Sequence, residues 1–224
     1  MAGGLSKRQL RAFLCGMDDI ALQRVAVPLG NRSFELLVPE PGGVEARFRR
    51  RQEAGEQPEL PYWSRIWHSA TALAAFLLQR PELIAGKRVL ELAAGLGLPG
   101  LVAAEAAAAV VVSDYLPEAV DLLERNIAFS GMKNVSARRL DWNALPEDLR
   151  ADVLLLSDVN YEPAAFAQLL VVIKKFLGQN TAVILATPQR LMAGPFIGQL
   201  APLVRERNDM PVADSIISIL LLGK

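Results

Sequence analysis

Arg88-Val-Leu-Glu-Leu-Ala-Ala-Gly-Leu-Gly-Leu-Pro-Gly100 is the stretch whose reading decides the fold. Its first five residues carry Val-Leu-Glu-Leu at their core, as in a strand of a parallel sheet buried on both faces. Gly95, Gly97 and Gly100 follow at once. Glycines there let the backbone turn sharply and come close to a ligand. Pro99 sits where a first helical turn tolerates it. Strand, glycine turn and helix in that order form half of a βαβ unit. Gly95-x-Gly97-x-x-Gly100 also fits the dinucleotide fingerprint literally, a weak signal when it stands alone.

Working downstream, the pattern repeats. The residues following the turn predict a helix over 99–108, a strand over 110–113 and a helix from Pro117 to Gly131. Short strands are expected over 135–140 and 153–156. Phe166, Leu169, Leu170 and Ile173 keep helical spacing after Pro163, with Gly178 as the expected C-cap. A strand over 182–186, a helix between 191 and 204, and a long apolar strand over 215–222 complete the series. Strands alternating with helices predict an α/β fold, Rossmann-like and doubly wound, with a mostly parallel sheet and helices on both faces.

Chemistry-bearing residues fall at the strand ends, where ligands sit in such sheets. Asp114 stands nineteen residues after Gly95 and can accept both hydroxyls of an adenosine ribose. It could equally cap the helix ahead of Pro117. Asp141 and Trp142 could take an exocyclic amine and cover a ring face, or form an ordinary loop. Ser157-Asp158-Val159-Asn160-Tyr161-Glu162 puts Asp158 and Tyr161 on a loop after an apolar strand, though Asp158 could also cap the next helix.

Upstream, a helix is expected over 68–79, stopping before Pro81. Tyr62, Trp63 and Trp67 crowd three aromatics into six residues, either as a core anchor or as a lid. Residues 1–60 read as an extension to the main domain at 61–224. Ser6 could cap a short helix carrying Leu10, Phe13, Leu14 and Met17. Alternation over 22–28 and 33–39 around Gly30-Asn31 predicts a β-hairpin, which Pro28 weakens. Residues 41–61 carry Arg47, Arg49, Arg50 and Arg51, then Glu53, Glu56 and Glu59, as a solvated loop or short charged helix would.

Composition narrows the classes of function. Lysine plus arginine number 24, as do aspartate plus glutamate, so bulk-charge binding of nucleic acid is not expected. With Cys15 the lone cysteine and His68 the lone histidine, no intrachain disulfide or Cys/His metal site can form. No apolar run has signal-peptide or bilayer character, so a cytoplasmic protein without a membrane partner is expected.

The Trp67 block, Glu91-x-x-x-Gly95-x-Gly97, Asp141-Trp142 and Asp158-x-x-Tyr161 together resemble the seven-β-strand S-adenosylmethionine-dependent methyltransferases. More closely, they are similar to methyltransferase family 16, which includes many protein-lysine methyltransferases. The resemblance covers roughly residues 61–189 and implies a seven-stranded sheet and S-adenosylmethionine as cofactor, with S-adenosylhomocysteine as product. It implies cofactor contacts from Trp67, Glu91, Ala93, Ala94, Gly95, Gly97, Asp114, Tyr115, Asp141, Trp142 and Ser157, with Asp158 and Tyr161 at the acceptor end. Ala93 stands where many relatives have glycine. The implied activity is N-methylation of a protein lysine or of a small amine. A nicotinamide-dependent oxidoreductase and a non-catalytic interaction module are the competing readings.

Overall fold

The computed structural model describes residues 19–189 and 193–223. The helix expected within residues 6–17 lies outside them. Strands β1 (Leu22–Leu29) and β2 (Arg32–Pro39) pair antiparallel as the expected hairpin, with Gly30 in the left-handed region of the turn. Residues 41–53, expected as a loop or short charged helix, form the thirteen-residue helix α1 (Pro41–Glu53). Its arginines are paired: Arg47 and Arg50 reach Asp19, and Arg51 reaches Glu56 and Glu118.

Helix α2 (His68–Gln79) has the expected bounds. Strand β3 (Arg88–Leu92), helix α3 (Leu98–Ala103), strand β4 (Ala109–Asp114), helix α4 (Pro117–Ser130) and strand β5 (Val135–Arg139) follow. Helix α3 is shorter than the expected 99–108, because its alanines alone did not mark an end. Next come β6 (Val153–Ser157), α5 (Phe166–Gly178), β7 (Ala182–Pro188) and α6 (Gly194–Leu200). Gly178 is the last residue of α5 rather than its cap, and Asn180 takes the left-handed position beyond it. The chain closes with β8 (Val204–Val212) and β9 (Ser215–Leu222).

The main sheet has seven strands in the order β5-β4-β3-β6-β7-β9-β8. Strands β3 to β7 run parallel, and β9 lies antiparallel between β7 and β8. Strand β8 has no apolar run. Its residues alternate between partly buried and exposed, as suits a charged edge strand.

Side-chain alternation divides the core in two. Leu90, Leu92, Leu154, Leu156, Val183 and Leu185 face α5 and α6, where Leu169, Ile173, Phe176 and Phe196 cover them. Val89, Val110, Val112, Val153, Leu155 and Ile184 face Leu73, Phe76 and Leu77 of α2. The hairpin docks outside this layer, with Val27, Leu29 and Leu36 against Leu98, Leu101 and Leu122. Asn126 of α4 holds it, accepting from Leu37 N–H at 2.7 Å and donating to Leu37 C=O at 3.1 Å.

The chain winds from β3 outward through β4 and β5, then returns to the other side of β3 as β6. The connections leaving β3 and β6 therefore diverge, and a crevice opens at their carboxyl ends.

Candidate functional site

Four strand ends meet at this crevice. The loop after β3 turns through three left-handed residues, Ala93 (φ 53°), Gly95 (φ 54°) and Gly97 (φ 77°). Ala94 N–H donates to Ser113 C=O, and Gly97 N–H to Ala94 C=O, which fixes the loop to β4. A Cβ on Gly97 would come within 2.6 Å of Leu123 Cδ2. One on Gly100 would fall 2.3 Å from Val112 Cγ1 and 2.7 Å from Glu91 Oε2. Gly95 lies against the backbone of Trp63, whose carbonyl oxygen would stand 3.3 Å from an added Cβ. The aromatic segment upstream thus lies across the loop.

Glu91 is placed beneath this loop. Its side chain is wholly buried, and its lateral neighbours in the sheet are Val112 and Leu155. Oε2 accepts from Gly100 N–H at 2.8 Å, while Oε1 has no partner. Burial pushes its carboxyl up to about 8, against the pull of the Gly100 N–H, and the nearby Asp114 charge adds to the rise. Glu91 is therefore mostly neutral at pH 7, and it holds the loop from below by pinning the start of α3.

Asp114 ends β4 almost fully buried. One carboxyl oxygen accepts from Gly95 N–H and the other from Leu116 N–H, both at 3.2 Å. It therefore both ties the glycine loop and caps the turn before α4. Burial pushes this carboxyl up, while the backbone N–H groups of Leu116, Gly95 and Tyr115 hold it down. The next residue, Tyr115, is exposed. Its phenol is pushed well up by burial and then by the Glu59 charge.

After β5, Asp141 is exposed, and its Oδ1 accepts from Asn143 N–H at 2.8 Å. Trp142 is half-buried against the α5-side core, and its carbonyl accepts from Gln168. After β6, Ser157 is half-buried, and Asp158 stands in the left-handed region at φ 55°. The Asp158 N–H donates to Ala186 C=O. Tyr161 is exposed and meets Tyr62 edge-on at 5.5 Å between centroids. Tyr62 in turn meets Trp67 at 5.9 Å, and the Trp67 indole donates to the Tyr62 carbonyl at 2.8 Å. Burial, then the Glu162 and Asp114 charges, push the Tyr161 phenol up, so it stays protonated at neutral pH.

The structure thus gathers the strand-end residues and the Trp67 block around one crevice. Sequence reasoning had Tyr62 in the aromatic block as core anchor or lid, and the structure sets it against Tyr161; it left Glu59 in the charged stretch and missed its place beside Tyr115. It also missed a cleft of about 670 Å³ beside Asp158, lined by Trp67, His68, Gln189 and Asp214 among others. The wall supplied by the β8–β9 turn could not be seen, since β8 itself was not.

A family model described as lysine methyltransferase matches residues 58–199, and the chain belongs to that family. Histone-arginine methyltransferase METTL23 of Xenopus laevis is 33% identical over 152 residues, which are 65% of this chain and 64% of that protein. The chain therefore spans just under two thirds of that relative's length. Calmodulin-lysine N-methyltransferase of Arabidopsis thaliana is 46% identical over 84 residues, 34% of this chain and 27% of its own. Among solved structures, a ribosomal protein L11 methylase from Lactobacillus delbrueckii subsp. bulgaricus aligns with TM-score 0.56 at 18% identity, covering 71% of this chain and 81% of that one. At that identity the likeness concerns the fold.

Proposed function

We propose that the chain is an S-adenosylmethionine-dependent N-methyltransferase acting on a protein side chain, with lysine as the acceptor. The observation that carries this reading is the convergence of the Ala93–Gly97 turn, Asp114 and the 158–161 loop on the crevice between β3 and β6. The residues fit the cofactor. Gly95 offers a backbone without a side chain, Asp114 presents a carboxyl at the strand end, and Trp142 offers a half-buried ring. On this reading Asp114 holds the ribose, Asp141 and Trp142 the adenine, and Trp67 flanks the methionine end. Ala93, Ala94, Gly95 and Gly97 run beneath it, with Ser157 lining the site through its backbone. Tyr115 borders the ribose, and Glu91 acts from below as a positioning residue.

When bound, the cofactor supplies a methyl group already activated on a sulfonium. The chain's task is then orientation and proton management. A free lysine amine has a pKa of about 10.4 and must lose a proton before it can attack. Asp158 orients the amine. Tyr161, held protonated, walls the approach rather than acting as a base, and the proton leaves to water through the exposed mouth. The METTL23 relatives favour a second acceptor, an arginine guanidinium, for the same site.

Calorimetric titration with S-adenosylhomocysteine, run beside NAD, tests the cofactor. Saturable binding of the first, lost in Trp142→Ala, is expected. Binding of NAD alone would replace this reading with an oxidoreductase. Methylation of lysate proteins with labelled donor, followed by mass spectrometry of the modified residue, separates lysine from arginine.

A further inference from the structure

The cleft beside Asp158 is larger than one side chain requires. Its volume of about 670 Å³ is that of pockets enclosing a whole small ligand, roughly 300–1,000 Å³. One wall is formed by residues 65–69 at the start of α2. The other is formed by residues 188–189, where β7 ends, and residues 214–217, where β9 begins. The walls approach each other where His68 Nδ1 and Ser215 Oγ stand 3.4 Å apart.

Besides Asp158, the cleft is lined by two residues of charged type, one on each wall. Arg65 lies on the first and Asp214 on the second, and both are exposed. Neither has a hydrogen-bond or ion-pair partner among the described residues. Arg32, Arg80, Arg88 and Arg207, by contrast, hold carboxylates. Ser69, which borders the same cleft, is wholly buried with its hydroxyl unpartnered. A buried hydroxyl without a partner costs free energy until something supplies one. The turn that leads into the second wall holds Ala213 in the left-handed region at φ 48°. That turn lies beyond residue 199, where the family match ends.

We infer that this cleft is a polarised groove for the chain segment bearing the methylated residue, in which Asp214 reads a basic neighbouring side chain and Arg65 an acidic one. The inference rests on the methyltransferase reading and deepens it by assigning acceptor choice to these two residues. Asp158 lines the groove, so the reacting side chain is placed beside it and its neighbours lie between the walls. Charges at a groove surface contribute mainly to selection among partners.

The test uses the full chain, labelled methyl donor and a peptide library with a fixed central lysine or arginine and every other position varied. Wild type should favour a basic residue at one position and an acidic residue at another. Asp214→Lys should reverse the first preference alone, and Arg65→Glu the second alone. Each reversal should appear as about a tenfold change in KM for matched peptides, with S-adenosylhomocysteine affinity retained. Preferences unchanged in both variants would overturn the groove. So would a protein that binds S-adenosylhomocysteine yet methylates no library member. Absence of S-adenosylhomocysteine binding would instead overturn the methyltransferase reading, and the groove with it.

Discussion

Glu91→Gln isolates the titration of the buried carboxyl beneath the glycine loop. The glutamine keeps the size of the side chain, and its oxygen can still accept from Gly100 N–H. Glu91 is pushed from an ordinary value of 4.5 to about 8 in the folded chain. The folded state therefore binds more protons than the unfolded state between those values. The stabilising effect of the neutral carboxyl is fully present below about 4.5 and is lost as pH rises toward 8. Integrating the proton difference from pH 5 to pH 8 gives a loss of about 3–4 kcal/mol in wild type. Glu91→Gln removes that slope, whereas Asp114 and the other titrating groups keep theirs. Urea unfolding at half-unit steps over this range should show the variant gaining about 3–4 kcal/mol on wild type between the two ends. A constant offset would follow from the new buried amide N–H₂ and does not affect the comparison. Parallel curves for the two proteins would refute the reasoning, because they would mean that Glu91 carries the same charge folded and unfolded.

Gly100→Ala should destabilise the fold by about 1–3 kcal/mol, since the new methyl meets Val112 Cγ1 at 2.3 Å in a packed layer; thermal unfolding measures it. Asn126→Leu should free the hairpin from α4 by removing both bonds to Leu37. Proteolysis between residues 20 and 54 should become faster while the main sheet stays resistant. Asp158→Asn keeps a residue that tolerates the left-handed region but removes its charge. Turnover should fall about 100-fold or more with S-adenosylhomocysteine affinity within about twofold of wild type; an equal loss in both would deny Asp158 its role at the acceptor end.

The buried parallel strands were legible because they are continuous apolar runs, and α2 was legible to its last residue because Pro81 ends it. The glycine turn and the carboxylates at the strand ends were legible because turns and strand ends impose specific residue types. Strand β8 was hidden, since this edge strand spreads its apolar residues, Val204, Met210 and Val212, among charged and polar ones instead of in a run. Helix α1 was legible only as one of two alternatives, a loop or a short charged helix, because the ion pairs that tie it to Asp19, Glu56 and Glu118 show in no local pattern. Glu91 stood in the motif as a cofactor contact. That its side chain points into the core follows from strand register, set by Val112 and Leu155 on either side. The cleft beside Asp158 was illegible for a related reason: its walls come from residues about 150 apart in the chain, His68 and Ser215 among them.

The two left-handed residues that are not glycine and lie at the crevice, Ala93 and Asp158, follow adjacent strands that pair Leu92 with Leu156. From these ends the chain departs toward opposite faces of the sheet, which is what opens the crevice. An L-residue in that conformation costs about 1–2 kcal/mol. Asp158 belongs to a type that enters the region more readily, since a short polar side chain can bond locally. Ala93 has no such recourse, but its methyl packs against the core cluster that contains Leu90 and Leu92. Burying one methyl is worth up to about 0.8 kcal/mol, and a glycine there would lose more backbone entropy on folding by roughly 0.5–1 kcal/mol. The cost and the two gains are of one size and nearly cancel. An alanine can therefore stand at the first turn of the loop without loosening it, whereas at Gly97 and Gly100 the side chains of Leu123, Val112 and Glu91 already occupy the space of a Cβ and would have to shift.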